Sequence, residues 1–210
     1  GLVNAHTHVP MTLLRGLADD LRLDVWLMGY MLPVEREFVS PEFVRLGTRL
    51  ACAEQIRSGV TTFNDMYFFE SDIAKATAEA GMRAVCGQSV MKYPAPDAPA
   101  FEDSIAYARE FIKTWKGHPL IVPAIAPHAP YSTTPEILRT CADIAKEYDV
   151  PLHIHISETA FEVEKQYWYR GDALAAGFYV AELLMRLMPE RESHPRLFAA
   201  LRWVLESLYV

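Results

Sequence analysis

Residues 60–90, VTTFNDMYFFESDIAKATAEAGMRAVCGQSV, contain the pattern that decides the fold. The β-branched run 60–64 predicts a strand, residues 71–80 predict a helix that ends at Gly81, and residues 83–90 predict a second strand. A strand, a helix and another strand of these lengths are typical of a parallel βαβ unit.

The same alternation continues on both sides of this stretch. Upstream, residues 2–6 predict a first strand, and Ser40 with Pro41 begins a helix that lasts to residue 57. Downstream the pattern predicts a rigid loop over 94–99, helices over 102–115 and 134–148, and strands over 120–126 and 150–156. Five strands with their helices fit an α/β fold of either kind, an incomplete (β/α)8 TIM-type barrel or a doubly wound sheet.

The alternation stops after Gln166. Residues 172–188 and 195–208 predict two helices joined by a polar turn, an α-helical hairpin tail. We therefore predict two domains, a partial barrel over 1–166 and a helical tail of different origin over 167–210. Because the chain begins without methionine inside a predicted strand, we expect a fragment or chimera whose join near Gln166 is natural, engineered or an assembly error.

Composition narrows the class of partner. The 210 residues carry 20 Lys and Arg against 27 Asp and Glu, which weighs against a nucleic-acid surface and favours a small-molecule substrate. We find no membrane-spanning run and no signal peptide, so no membrane partner is expected. The three cysteines, Cys52, Cys86 and Cys141, form no CxxC pair, which favours a reducing, cytoplasmic compartment.

Histidines gather at the carboxyl ends of the predicted strands, where barrel enzymes build their active sites. His6 and His8 end the first strand and point to the same side, so they can present two imidazoles to zinc, iron or nickel. On its own such a pair is more often structural. His155 with Glu158, at the end of the fifth strand, adds a third imidazole and a carboxylate, which is the set that metal-assisted hydrolysis needs.

Several motifs, in this order along residues 1–166, resemble the amidohydrolase superfamily. Within it they are most similar to the 5'-methylthioadenosine/S-adenosylhomocysteine deaminases and the TRZ/ATZ-type hydrolases. The motifs are GLVNAHTH (1–8), MTLLRGLADDL (11–21), NDMY (64–67), APHAPY (126–131) and HIHISET (153–159).

The resemblance implies a hydrolase with a divalent metal, zinc first, with iron or nickel as alternatives. It makes His6, His8 and His155 metal ligands and Glu158 the acid that moves the proton when activated water attacks the amino-bearing carbon of the substrate. The parent reaction would be the hydrolytic deamination of an aminopurine nucleoside or a related amino-heterocycle.

The same resemblance implies a substrate pocket. It places His128 facing the substrate and Glu35 as the acceptor of ribose hydroxyls, with Trp26 near that loop either as a substrate contact or as packing. Gln88 and Ala100 lie where the adenosine-type deaminases are expected to carry arginine, so guanine, cytosine-like and triazine rings stay open as alternatives.

Other parts of the family pattern are not found. A histidine ending a sixth strand and an aspartate ending an eighth strand have no counterpart, and residues 170–209 resemble a helical segment of the DNA repair protein RecO instead. We therefore expect little or no activity from this chain. The alternatives are an inert fragment or chimera that acts only as a binding or assembly module, and a homo-oligomer in which the tail completes the missing wall.

Overall fold

Four strands form one parallel sheet in the part of the chain that the computed structural model describes, residues 1–158 and residue 162. The strands are β1 (Leu2–Thr7), β2 (Val60–Tyr67), β3 (Arg83–Val90) and β4 (Ile121–Pro127). They lie side by side in chain order, and every neighbouring pair is parallel. A doubly wound sheet reverses its strand order, whereas a barrel of βα units continues in one direction. The described sheet has the barrel order, in agreement with an incomplete TIM-type barrel.

The helices predicted between these strands are confirmed. Residues 9–38, a region that we did not predict to be helical, contain the 3-10 helix Val9–Leu14, two short α-helices and the π-helix Leu27–Met31. The helical segments of this region are short and are interrupted by proline and glycine, so the sequence shows no long apolar periodicity there. The helices are α1 (Leu23–Trp26), α2 (Leu32–Phe38), α3 (Pro41–Arg57), α4 (Glu70–Glu79), α5 (Phe101–Trp115) and α6 (Pro135–Tyr148).

Side-chain hydrogen bonds fix where helices α3 and α6 begin. The Ser40 hydroxyl accepts a hydrogen bond from the amide of Phe43 at 3.2 Å, and the Thr134 hydroxyl accepts one from Ile137 at 3.2 Å. In both helices a proline follows the cap, where its missing N–H costs nothing. These signals are local, which is why both starts could be predicted.

The core lies between the sheet and helices α3 to α6. Phe63 of β2 and Ile125 of β4 belong to one buried cluster with Ile73, Ile112 and Ile144 from α4, α5 and α6. Full burial of each such side chain stabilises the fold by about 1.5–3 kcal/mol. The βα units are therefore held by ordinary apolar packing, which leaves the strand ends available for polar side chains.

The predicted fifth strand, 150–156, is reduced to a single parallel bridge between Ile125 and Leu152. Ile125 donates to the carbonyl of Pro151 and accepts from the amide of His153, so the odd-numbered residues of β4 face this segment. Both neighbouring odd positions are proline, Pro123 and Pro127, and proline has no N–H to donate. The segment therefore follows β4 without forming a continuous ladder.

The predicted boundary near Gln166 and the two helices predicted after it lie outside the described residues. Within the described part of the chain, no helix is long and apolar enough to cross a membrane.

Candidate metal centre

The candidate site lies at the carboxyl end of β1. The register between β1 and β2 runs from the pair Asn4 and Phe63 to the pair Thr7 and Asp65, so between these pairs two residues of β1 stand opposite one of β2. Such a bulge re-aims side chains at the end of a strand. It contains His6, one of the predicted ligands.

The imidazoles of His6, His8 and His155, the three predicted ligands, converge there. His6 Nε2 lies 3.4 Å from His8 Nε2 and 3.2 Å from His155 Nε2, and one ligand atom from each of the three residues lies within 4.8 Å of the others. Nitrogen ligands of tetrahedral zinc, with bonds of about 2.0–2.1 Å, are about 3.3–3.4 Å apart. The spacing of this donor set therefore fits a divalent ion of that size.

The backbone of β2 orients one of these rings. Nδ1 of His8 lies 2.6 Å from the carbonyl oxygen of Met66. Since a carbonyl only accepts, Nδ1 carries the hydrogen, and Nε2 keeps its lone pair directed towards His6 and His155. A second hydrogen bond of this kind is what orients metal-binding histidines in general.

The electrostatics keep His8 and His155 neutral. Burial, followed by the neighbouring imidazoles, lowers the pKa of His155 to about 2. Burial also lowers the pKa of His8, although Asp65 and the Met66 carbonyl act in the opposite direction. Neutral imidazoles are the form that binds a metal ion.

Glu158, the predicted proton carrier, lies on the exposed side of the site. The hydroxyl of Tyr131 donates to Glu158 Oε2 at 2.8 Å. Burial, followed by the Glu158 hydrogen bond, raises the pKa of Tyr131 and keeps it a donor. Tyr131 belongs to the motif APHAPY, but its role depends on a contact with residue 158. No local sequence pattern shows that contact, because the two residues are 27 positions apart.

The predicted substrate histidine, His128, stands next to this cluster. Its ring centroid lies 5.1 Å from that of His155, and its Nδ1 lies 2.7 Å from the hydroxyl of Ser132. Burial lowers the pKa of His128 to about 4. His128 is therefore a neutral ring at the edge of the three ligands.

Glu35 reaches the site through another residue. It is buried, and the hydroxyl of Tyr67 donates to its Oε1 at 2.8 Å. The Tyr67 ring lies 6.4 Å, centroid to centroid, from His8. Trp26, at the end of α1, is half-buried, and no contact places it against the histidines.

Behind the histidines lies a buried acid network that sequence reasoning missed. Asp65 and Glu70 are both fully buried, and burial raises the pKa of each carboxyl group. The amide of Glu70 donates to Gln88 Oε1 at 3.3 Å, and Gln88 Nε2 donates to Asp97 Oδ2 at 2.8 Å. Sequence separation hides this network, because its members come from two strands, a helix and a loop.

The two positions where arginine was expected differ in their surroundings. Gln88 is fully buried and satisfied by Glu70, Asp97 and the carbonyl of Ser89. Ala100 is exposed and precedes the first residue of α5. Neither side chain is part of the histidine cluster.

The part of the chain that contains the histidine cluster matches a known protein family. Residues 1–174 match the amidohydrolase family, and residues 169–209 match the C-terminal part of recombination protein O. A 5-methylthioadenosine/S-adenosylhomocysteine deaminase of Thermodesulfovibrio yellowstonii is 50% identical over 165 residues, which are 79% of this chain and 38% of that protein. The chain thus spans well under half the length of the curated relatives it matches.

Solved structures agree with the sequence relatives. An adenosine deaminase from Xanthomonas campestris, solved with bound zinc, matches with a TM-score of 0.79 and 41% identity over 85% of this chain and 41% of that one. The E. coli guanine deaminase matches with a TM-score of 0.70 and 26% identity over 85% of this chain and 44% of the other.

Proposed function

Because the chain belongs to the amidohydrolase family, we propose that its three converging imidazoles are the metal centre of a hydrolytic deaminase. The observation that carries this proposal is the approach of the His6, His8 and His155 Nε2 atoms. Glu158, three residues after His155, has its carboxylate held by Tyr131. In this proposal the 210-residue chain supplies the metal-holding and proton-moving part of the site.

His6, His8 and His155 would hold the ion, zinc first, with iron or nickel as alternatives. When bound, such an ion supplies Lewis acidity, which lets water lose a proton near neutral pH. The hydrogen bond from His8 Nδ1 to the Met66 carbonyl supports this assignment, because it leaves Nε2 unprotonated before any ion arrives.

Glu158 is the proposed proton carrier. Tyr131 holds one of its oxygens, Oε2, which leaves Oε1 to take a proton from water and deliver it to the ring nitrogen of the substrate. A fixed carboxylate can do both in turn, since it needs only a small movement between the two positions. Tyr131 therefore acts as a positioning residue for Glu158.

The proposed substrate is an aminopurine nucleoside or a related amino-heterocycle, with guanine and triazine rings as alternatives. The relatives named above are a methylthioadenosine and S-adenosylhomocysteine deaminase, an adenosine deaminase and a guanine deaminase. On this chain His128 would face the ring, Glu35 would accept ribose hydroxyls and Trp26 would contact the substrate.

The three cysteines are unpaired, which supports a reducing, cytoplasmic setting.

Metal analysis of the purified full chain tests the centre. We expect one zinc ion per chain after reconstitution and dialysis, and loss of that ion in His6→Ala. The matched control is His118→Ala, whose imidazole accepts from the amide of Leu120 and lies outside the cluster. Retention of the ion in His6→Ala, or no bound ion in the unchanged chain, would contradict the proposal and favour an inert binding or assembly module.

A cobalt-loaded chain tests the substrate class without requiring turnover. A ligand that approaches the ion changes the visible absorption of bound cobalt, so we expect methylthioadenosine or adenosine to change the spectrum and ribose to leave it unchanged. Guanine and an aminotriazine are the other arms of the titration. If none of the four ring compounds changes the spectrum, the substrate assignment is wrong, whatever the metal analysis gives.

A further inference from the structure

The backbone around His8 is held in an unusual way. At the bulge of β1 the regular pairing with β2 is interrupted between Asn4 and Thr7. A bulge leaves part of the strand without ladder hydrogen bonds. Something other than the ladder must therefore fix the segment that carries two of the three candidate ligands.

The side chain of Asp65 makes the replacement contacts. Its Oδ1 accepts a hydrogen bond from the Thr7 hydroxyl at 2.6 Å and another from the amide of Val9 at 2.7 Å. These two residues stand immediately before and after His8 in the chain. Asp65 is fully buried, so both hydrogen bonds are shielded from water.

The residues on either side of Asp65 complete the contact. The carbonyl of Asn64 lies 2.8 Å from the Thr7 hydroxyl, and the carbonyl of Met66 accepts from His8 Nδ1. Three successive residues of β2 thus hold the three successive residues Thr7, His8 and Val9. The stretch 64–67 carried part of the family resemblance, but no role followed from it.

Glu70 is the buried acidic neighbour of Asp65. Both side chains are fully buried, and Asp65 Oδ2 and Glu70 Oε2 have no hydrogen-bond partner among the described residues. Glu70 Oε1 accepts from the amide of Tyr67 at 2.8 Å, which anchors it to the end of β2. Asp65 therefore has little freedom to move.

We propose that Asp65 is the positioning residue of the metal centre, and that through Thr7 and Val9 it sets the direction of the His8 imidazole. This inference rests on the proposed metal-binding function. It assigns to Asp65 no contact with the ion or with the substrate. If Asp65 has this role, removing the Thr7 hydroxyl loosens the His8 imidazole, although that hydroxyl does not contact the imidazole.

Isosteric variants of the full chain test this role. Thr7→Val removes the hydroxyl and Thr7→Ser restores it, while Asp65→Ala removes the carboxylate and Asp65→Asn keeps an oxygen that accepts from both donors. Thr77→Val is the matched control, because Thr77 is fully buried and its hydroxyl donates to the carbonyl of Ile73, away from the histidines. Circular dichroism establishes that each variant is folded.

Zinc affinity, measured by competition with a chelator, is the first readout. Loss of an indirect support of this kind lowers metal affinity about 10- to 100-fold, and we expect that loss in Thr7→Val and Asp65→Ala. Thr7→Ser, Asp65→Asn and Thr77→Val should stay close to the unchanged chain. An equal loss in Thr77→Val, or folded Thr7→Val and Asp65→Ala chains with unchanged affinity, would overturn the proposal.

The metal-free chain gives the second readout and separates the two proposals. Nitrogen-15 NMR reports which ring nitrogen of His8 carries the hydrogen, and amide exchange reports the hydrogen bond of Val9. We expect one fixed tautomer and a slowly exchanging Val9 amide, both lost in Thr7→Val. If the unchanged chain binds no metal, the proposed function fails, whereas the role of Asp65 is still tested in the metal-free chain and fails there if His8 and Val9 do not respond to Thr7→Val.

Discussion

The imidazole of His153 occupies the space in front of Gly87, so that a methyl group added at Gly87 would lie 2.2 Å from both Cε1 and Nε2 of the ring. His153 is buried, and its ring lies close to the backbone of Asp65. Burial lowers its pKa to about 4, which keeps the ring neutral. The ring of His153 is therefore the main reason for glycine at position 87, and the carbonyl oxygen of Asp65, 3.1 Å from the added carbon, is a smaller one.

A double-mutant cycle tests that relationship. Overpacking a well-filled core costs about 1–3 kcal/mol, and we expect a loss of that size in the free energy of unfolding for Gly87→Ala. In a His153→Ala background the same substitution should cost much less, because the clashing ring is gone. Urea denaturation of the four chains measures the coupling.

Gly29→Ala is the control for the effect of replacing glycine by alanine where the added methyl group has room. A Cβ at Gly29 meets no atom within 4 Å, and the residue is helical, so we expect no loss of stability. Equal losses for Gly87→Ala with and without His153 would show that the contact carries no energy.

The pH dependence of stability tests Glu35. Burial raises the pKa of Glu35 to about 7, and the Tyr67 hydrogen bond offsets only part of that rise. Between about pH 4.5 and 7 the folded chain keeps a proton on Glu35 that the unfolded chain has lost, so this residue lowers stability as the pH rises through that window. Glu35→Gln removes the loss and should stabilise the metal-free chain by up to about 3 kcal/mol at pH 7.

Urea denaturation at a series of pH values measures this difference. The buried histidines change stability in the opposite direction over part of the same range, because their pKa values are lowered, but they contribute equally to both chains. The difference between Glu35→Gln and the unchanged chain should therefore grow from pH 5 to pH 7. Glu37→Gln, on the exposed side of the same helix, should show no such growth.

Much of the fold could be predicted because its signals are local. Strands β2 to β4 are β-branched or apolar runs closed by turn residues, and Ser40 and Thr134 mark helix starts through hydrogen bonds to residues three positions away. The fifth strand was wrong as a continuous ladder, since its pairing depends on two prolines in a neighbouring strand. Residues 9–38 were missed because their helices are held by packing and not by their own periodicity.

The site divides in the same way. That His6, His8 and His155 come together could be predicted, because histidines recur next to strand ends. Asp65 and Tyr131 could not be given a role, since each acts on a residue distant in the chain, at separations of 58 and 27 residues. Their chemistry is visible only when the strand ends are brought together.

Stabilisation by zinc tests the third ligand independently of the first two. A ligand that binds only the folded chain at about 100 times its Kd raises the free energy of unfolding by about 2.7 kcal/mol. We expect a zinc-dependent rise in Tm that is lost in His155→Ala and kept in His118→Ala. A rise of the same size in His155→Ala would mean that zinc binds elsewhere.

Ammonia release tests the limits of this chain as a catalyst. Glu158 and His6 are exposed, and water around a reacting centre weakens the electrostatic stabilisation on which such chemistry depends. We therefore expect little or no release of ammonia from methylthioadenosine or adenosine by the zinc-loaded chain. Any release should require the metal, disappear in Glu158→Gln and fall in Tyr131→Phe, which frees the carboxylate without removing it. Substantial release that Glu158→Gln abolishes would show that three imidazoles and one exposed carboxylate are enough for turnover.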